Sequence, residues 1–514
     1  MATNAPDPLY AHYKKARNQL RRFEPGSVIQ HFVDALYRAH TGGVDVLKYY
    51  QPWNILLAIK WTFQELDGLS HRRPHASLND VHKILNILHE LEGDVPLPSQ
   101  IGNIMLFMRR MAFQQFWRHP PDGSALARQE ALFGELPPGH QFNTQFLNAT
   151  GVTITEFLDL AFALLALVIT DNPPRAVGRA DFANIEPRLK PRSLDGFLQQ
   201  LSRTPQELHD WLNEPTIREA SVSDQLVLPN PLIRAPLLNA NGLYLVYYPP
   251  LVFRALEESI YRTLRSADPA AFMQKFGPLF ERYINRCLTD TGLSFTAEAE
   301  LRQMLPCGKC VDFLIVEDGC NILIDAKGVE MSPLGRVSYQ AEVVYRAMKE
   351  SAMKAVVQGM ETAQRITASP PDSPWGRSEH FMLVVTFEQL NLGCSSYLAS
   401  TLGDSLTSNL SRQFGATLPF PLENVFFLSV SEFERMLECV RAGATTLLKV
   451  LKHAKQDDAS PQTQKFHFGQ HLESLCAPAD RLPFIEASLD RIQKRCIARL
   501  PPEMLKVQSE DVRS

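Results

Sequence analysis

The sequence predicts a two-part protein of mixed α and β class (α+β or α/β): an all-helical domain over residues 1–225, then a domain over 226–514 in which helices alternate with strands. Three observations carry this. From Tyr10 to about Asn213, apolar residues recur every three or four positions, as core-facing helices require. Prolines at Pro229, Pro231 and Pro236 then break that pattern. Further on, the apolar runs Val311–Val316 and Ile322–Lys327 flank a turn of Glu317, Asp318, Gly319, Cys320 and Asn321, and Asp-Gly between two such runs marks a β-hairpin.

The elements follow in order. Ile55–Leu66, Val81–Leu91, Ile104–Trp117 and Phe157–Val168 read as helices, separated by proline breaks at 96–98, 120–121, 137–138 and 173–174. A strand at Leu243–Tyr248 and a helix at Pro250–Arg265 follow the boundary. Ala271–Thr289 places Phe276, Phe280, Ile284 and Leu288 on one helical face. Phe295–Leu301 is a strand candidate ahead of the hairpin. Ser338–Ile366 reads as a long helix with a break expected near Gly359, ended by the proline-rich loop Ser369–Pro374. His380–Phe387 and Val425–Val430 are buried strands, and Ser431 is placed to cap the helix after the second. The tail beyond Leu500 is polar.

Composition narrows the function classes. The chain has 514 residues, 45% hydrophobic and 21% charged, with a net charge of −4, so it is not a basic nucleic-acid coat. Any nucleic-acid contact needs a local positive patch. No N-terminal signal peptide is evident, and the longest apolar run, Leu160–Ile169, is too short to span a bilayer. A soluble, cytoplasmic protein without a membrane partner is expected. The eight cysteines, all from Cys287 onward, are irregularly spaced, which points to reduced thiols.

The chemistry is concentrated at the hairpin. Asp325 and Lys327 lie two apart on a strand and so share a face, and such charges among apolar residues are costly unless they pair, bind metal or line a wet cleft. Asp312 precedes Asp325 by thirteen positions, as a short-turned hairpin needs to bring both acids to one end. With the helical segment Phe276, Gly277, Pro278, Leu279, Phe280, Glu281 upstream, the pairs Val311-Asp312 and Asp325-Ala326-Lys327 resemble the PD-(D/E)xK (restriction-endonuclease-like) nuclease superfamily. The resemblance covers roughly 271–387, within an expected catalytic core of 271–390. Val311 stands where the family name has proline.

That resemblance implies a central mixed β-sheet flanked by helices and a metal-dependent phosphodiesterase, an endonuclease ahead of an exonuclease, acting on DNA ahead of RNA. Mg²⁺ or Mn²⁺ is the implied cofactor, a hard cation preferring oxygen ligands. Asp312, Asp325, the Ala326 carbonyl and Glu281 are the implied ligands. Lys327 would orient or deprotonate water, and Gln358 is the implied polar residue on the later helix, with Gln340 in reserve. Proteins resembling this arrangement are often microbial defence effectors, in which a helical part gates the nuclease, forms a homo-oligomer or meets an activating protein partner. The alternative is an inactive relative that keeps the fold as a nucleic-acid or protein-binding sensor.

Other signals read as structural. Glu298 is a competing acid on the strand candidate. Cys307 and Cys310 make a lone C-x-x-C with no second pair for zinc. His467 and His471 have an i, i+4 spacing without the adjacent glutamate of a metalloprotease. No phosphate-binding G-x-x-x-x-G-K-[ST] occurs. The basic runs Lys14, Lys15, Arg17, Arg21, Arg22 and Arg188, Lys190, Arg192 read as solvated faces, whereas Arg336, close in sequence to the acids, is the candidate nucleic-acid contact.

Overall fold

The computed structural model describes residues 9–42, 51–93, 104–115, 123–218, 221–305, 308–329, 331–376, 379–393, 395–477 and 479–501. The proline breaks at 96–98 and 120–121, the end of the helix expected to reach Trp117, Cys307 and the tail beyond Pro501 lie outside them. The chain divides into two compact units, residues 1–100, 113–264 and 489–514 in one and 101–112 and 265–488 in the other. Both sides of the boundary expected at 225/226 therefore belong to the first unit.

The first unit is mainly helical. Its helices begin where the sequence supplies caps: Glu24 accepts the Gly26 and Ser27 amides at the start of Pro25–Thr41, and Thr153 caps Ile154–Val168. That second helix buries Leu160, Ala161, Leu164, Leu165 and Val168, as the apolar run predicts. Among the described residues no single helix is long and apolar enough to cross a membrane. The expectation of an all-helical segment before residue 225 needs correction, because β1 (Ala176–Gly178) and β2 (Ser202–Arg203) lie within it. They join β3 (Leu237–Ala240) and β4 (Leu243–Val246) in a sheet of order β1-β4-β3-β2. Strands of two and three residues are too short to show a period-2 pattern. The C-terminal residues return to this unit, where Arg495 bridges the buried Glu130 and Asp159 and Arg499 holds the second oxygen of Asp159.

The second unit is built on a five-stranded mixed sheet of order β5-β6-β7-β8-β9: β5 (Thr296–Ala297), β6 (Phe313–Glu317), β7 (Cys320–Lys327), β8 (His380–Thr386) and β9 (Val425–Ser429). The first two pairings are antiparallel and the last two parallel. Asp318 and Gly319 both take positive φ, 48° and 76°, as a two-residue turn matching strand twist requires. The parallel β7–β8 pair needs a long crossover. Helices α2 (Ala341–Met348) and α3 (Ala352–Thr367) lie on it, after α1 (Pro269–Thr291) has led into β5. Leu314 and Leu323 from the hairpin, Met382 and Val384 from β8, and Val356, Met360 and Ala363 from α3 form one buried cluster. Phe276, Phe280, Ile284 and Leu288 of α1 are buried, as their spacing predicts.

Several local expectations change. The strand expected at 295–301 ends after Ala297, and Glu298–Met304 is helical, because Glu-Ala-Glu-Leu-Arg-Gln-Met is a run of strong helix formers. The long helix at 338–366 is interrupted between Met348 and Ala352. Gly359 lies inside α3, where a Cβ would come within 2.6 Å of the Met382 sulfur on β8, so it serves close helix–sheet packing rather than a break. Ser429, not Ser431, caps the helix Val430–Arg441, sharing a reciprocal capping box with Glu432. The thiols are not all reduced: Cys439 and Cys476 form a disulfide, their Cα atoms 6.3 Å apart. Packing of the helices that carry or precede them brings these cysteines together, which irregular spacing along the chain could not reveal.

The β6–β7 turn is locked from outside. Asn321, fully buried, donates to the Gly376 carbonyl and accepts the Gly376 amide, both at 2.8 Å. A Cβ on Gly376 would lie 2.3 Å from the Gly319 carbonyl oxygen, a backbone atom that cannot swing aside. Gly376→Ala should therefore destabilise the protein by about 1–3 kcal/mol in urea unfolding. An unchanged midpoint would show that the turn can shift freely.

Candidate active site

Asp312 stands one residue before β6, where the ladder with β7 ends at Phe313 opposite Ile324. Continuing that register sets Asp312 opposite Asp325. The Ala326 amide, next in line for a ladder bond, donates instead to Asp312 Oδ2 at 2.7 Å. On the other side the Asp312 carbonyl accepts the Glu298 amide at 2.7 Å, extending the β5–β6 register by one step. Residues opposite one another in antiparallel strands project from the same face with Cβ atoms about 5 Å apart. Asp312 is thus flanked by Glu298, just past the end of β5, and by Asp325 on β7.

Glu281 reaches the group from α1. Phe276 and Phe280 stack with each other and pack edge-on against Phe387, just past the end of β8, which seats that helix beside the sheet. Carboxylate oxygens of Glu281, Glu298 and Asp312 all lie within 4.8 Å of one another. The expected ligand group was Glu281, Asp312 and Asp325 with the Ala326 carbonyl; the group that closes has Glu298 in place of Asp325. In the sequence Glu298 reads only as a competing acid within a strand, where it needs no special role. Its place at the start of a helix-forming run directly after a strand is the signal that marks it as a strand-end acid.

Asp325 is fully buried, and neither of its oxygens accepts a hydrogen bond among the described residues. Lys327 lies against Oδ1 as an ion pair without hydrogen-bond geometry. Lys327 Nζ also donates to Gln358 Oε1 at 3.3 Å, and Gln358 Nε2 to the Cys310 carbonyl at 3.3 Å, so the expected glutamine on α3 meets the lysine. Gln340, the reserve, occupies the N-cap of α2. Arg336 is engaged at the same end of the sheet, donating to the Met331 carbonyl at 3.0 Å and ion-paired with Glu388, two residues beyond β8.

An open cleft of about 540 Å³ borders the acids, lined by Glu281, Arg282, Asn285, Glu298, Arg302 and Phe313 among others. The other sequence signals have structural partners. Cys310 is buried, with Arg365 donating to its sulfur. His467 faces Glu432 at 3.2 Å, and the buried His471 lies between Asp457 and Asp458 at 3.2 and 3.4 Å. In the first basic run, Arg17 and Arg21 pair with Glu65.

Burial, with like charges adding to it, raises the acids. Burial, reinforced by the charge of Asp325, pushes Asp312 up to about 8. Burial also raises Asp325, against the opposing pull of Lys327. Burial and then the charges of Glu298 and Asp325 raise Glu281. The donor set is entirely oxygen, which suits Mg²⁺ or Mn²⁺ and not a soft metal, and Asp325 lies beside it paired with Lys327.

The raised acids give stability a definite pH dependence. The folded protein holds protons that the unfolded chain releases above about pH 4. Stability contributed by the protonated cluster is present below that pH and is lost as pH rises through about 8, where Asp312 ionises. A divalent cation binding the ionised acids offsets that loss. Mn²⁺ should therefore raise the melting temperature more at about pH 8 than at about pH 6, and Asp312→Asn should abolish the effect. An Mn²⁺ shift equal at both pH values, or retained in Asp312→Asn, would place the cation elsewhere. In comparisons with known proteins, no family model, no curated protein and no solved structure matches this chain.

Proposed function

We propose that the protein is a metal-dependent nuclease that hydrolyses phosphodiester bonds in nucleic acid, DNA ahead of RNA. The observation that carries this reading is the meeting of Glu281, Glu298 and Asp312 within 4.8 Å beside the buried Asp325–Lys327 pair. The chain order supports it as well: helix α1, three antiparallel strands, a helical crossover and a parallel strand, with acids at the strand ends, is the arrangement implied by the resemblance to the PD-(D/E)xK superfamily.

In this reading Glu281, Glu298 and Asp312 would hold Mg²⁺ or Mn²⁺. The Ala326 carbonyl is a further donor, because the amide and carbonyl of one strand residue point to the same side and the Ala326 amide already faces Asp312. When bound, such a cation acidifies water and neutralises charge building on the phosphoryl oxygens. Lys327 has three N–H donors. Gln358 takes one, Asp325 fixes the ammonium in place as an ion pair, and the donors that remain would address the attacking water or a phosphoryl oxygen. Asp312 spends one oxygen on Ala326, so its carboxylate is oriented before any ligand arrives. The N-terminal helical part takes the recognition or regulatory role.

The test is incubation of the purified protein with plasmid DNA and with tRNA in Mg²⁺ or Mn²⁺. Asp312→Ala should abolish cleavage and Lys327→Ala should slow it by about 10²–10³-fold, the scale of removing one transition-state donor. Variants as active as the parent would refute the site. A parent that binds DNA yet cuts nothing with any cation would leave a binding module on the same fold.

A further inference from the structure

We propose that Arg302 is a phosphate-binding residue held in reserve by Glu298: its guanidinium pairs with that carboxylate until a divalent cation claims it, then turns to a phosphodiester oxygen of a DNA strand in the cleft. The inference takes its ligand from the nuclease reading and adds an order of events, cation first and strand second.

Arg302 Nη2 lies 2.6 Å from Glu298 Oε1, one turn apart on the helix Glu298–Met304. The two residues line the same cleft, together with Arg282. Glu298 thus belongs to two groups at once, the arginine pair and the three carboxylates within 4.8 Å. A cation drawing on the Glu298 carboxylate competes with the guanidinium for its charge. The pair is poorly placed to resist, since the Arg302 side chain is 60% exposed against 26% for Glu298, and exposed pairs are weak in water.

The ligand follows from the charges. Before the cation enters, the Arg302 guanidinium is engaged by the Glu298 carboxylate and is not open to a phosphate. Once Glu298 is committed, the freed guanidinium offers its planar fork of donors to phosphate, the geometry that makes arginine a better phosphate ligand than lysine. Arg282, exposed on the opposite helix, supplies a second positive charge to the same cleft.

A cycle of the full-length protein, Arg302→Ala, Glu298→Gln and the double variant tests this by calorimetric Mn²⁺ binding without nucleic acid. Loss of the competing guanidinium should tighten Mn²⁺ by about two- to five-fold, the scale of an exposed ion pair. The gain should vanish in the Glu298→Gln background. Anisotropy of a fluorescent DNA duplex in Ca²⁺ should then show weaker binding by Arg302→Ala, with the slope of log affinity against log salt reduced by about 0.9, one phosphate contact. An equal Mn²⁺ effect in both backgrounds would reduce Arg302 to a distant charge and overturn the latch. So would an unchanged salt slope. Plasmid cleavage by the unaltered protein is scored separately, so loss of the nuclease reading is distinguishable from loss of the latch.

Discussion

The second unit depends on one hydrogen bond that is half fold and half site, from the Ala326 amide to Asp312 Oδ2. Up to Phe313 and Ile324 the hairpin is an ordinary ladder. At the next bonding position a side chain substitutes for the backbone carbonyl. That exchange ends the strand pairing without leaving a buried amide unsatisfied, which would cost on the order of 1–3 kcal/mol. It also turns the Asp312 carboxylate to the end of the sheet, where Glu298 and Glu281 can meet it. A register slip of one residue would move Asp312 and Asp325 to the wrong face, so the tight turn at Asp318-Gly319 and its lock by Gly376 belong to the site as much as to the fold.

Around that bond the protein holds an arrangement that opposes its own stability. Three carboxylates share a volume less than 5 Å across, and a fourth is buried with only an ion pair for company. Burial accounts for the largest part of the upward shift in Asp312, Asp325 and Glu281, with mutual repulsion adding to it. Such a group survives because its neighbours are rigid. Leu323, two residues before Asp325 on the same face, lies in the cluster shared with Val356, Met360 and Val384, and β7 is bonded on both sides. An acid cluster on a loop would relax by moving apart. Here the ladder holds Asp312 and Asp325 in place, and a proton or a cation relieves the charge.

Much of this was legible in the chain, in proportion to how local the signal was. Asp-Gly between two apolar runs fixed the hairpin, and with it the opposition of Asp312 and Asp325. The four-residue spacing of Phe276, Phe280, Ile284 and Leu288 fixed the buried face of α1, and Glu281 directly follows Phe280 at its edge. Gln358 came from the resemblance, which implies a polar residue on the later helix, and not from any local pattern; Lys327 donates to it. Glu298 was misread because only two strand residues precede it, too few to reveal where the strand stops. The pairing of Arg302 with Glu298 is hidden for the same reason, since an i, i+4 pair exists only if the segment is a helix. β1 and β2 escaped detection through shortness, and the Cys439–Cys476 link through distance along the chain.

The placement of Glu281 shows why a site like this draws on several parts of the sequence. A glutamate on an amphipathic helix has no information of its own about where it will sit. Its position is set by contacts elsewhere on α1. Phe276 and Phe280 lean on Phe387, Tyr283 donates to Glu434 at 2.7 Å, and Asp290 accepts the Phe484 amide at 2.9 Å. Gly328, directly after β7, allows the first of these, because a Cβ there would meet the Phe276 ring at 2.8 Å. The helix is therefore pinned on both sides of Glu281, by aromatic packing near the sheet and polar bonds beyond it. A carboxylate held this way need not reorganise to meet a ligand, which is the condition under which charge in a protein acts most strongly. The side chains with room to change partners are those at the cleft, Arg302 and Glu298, and any conformational response to a cation is concentrated there.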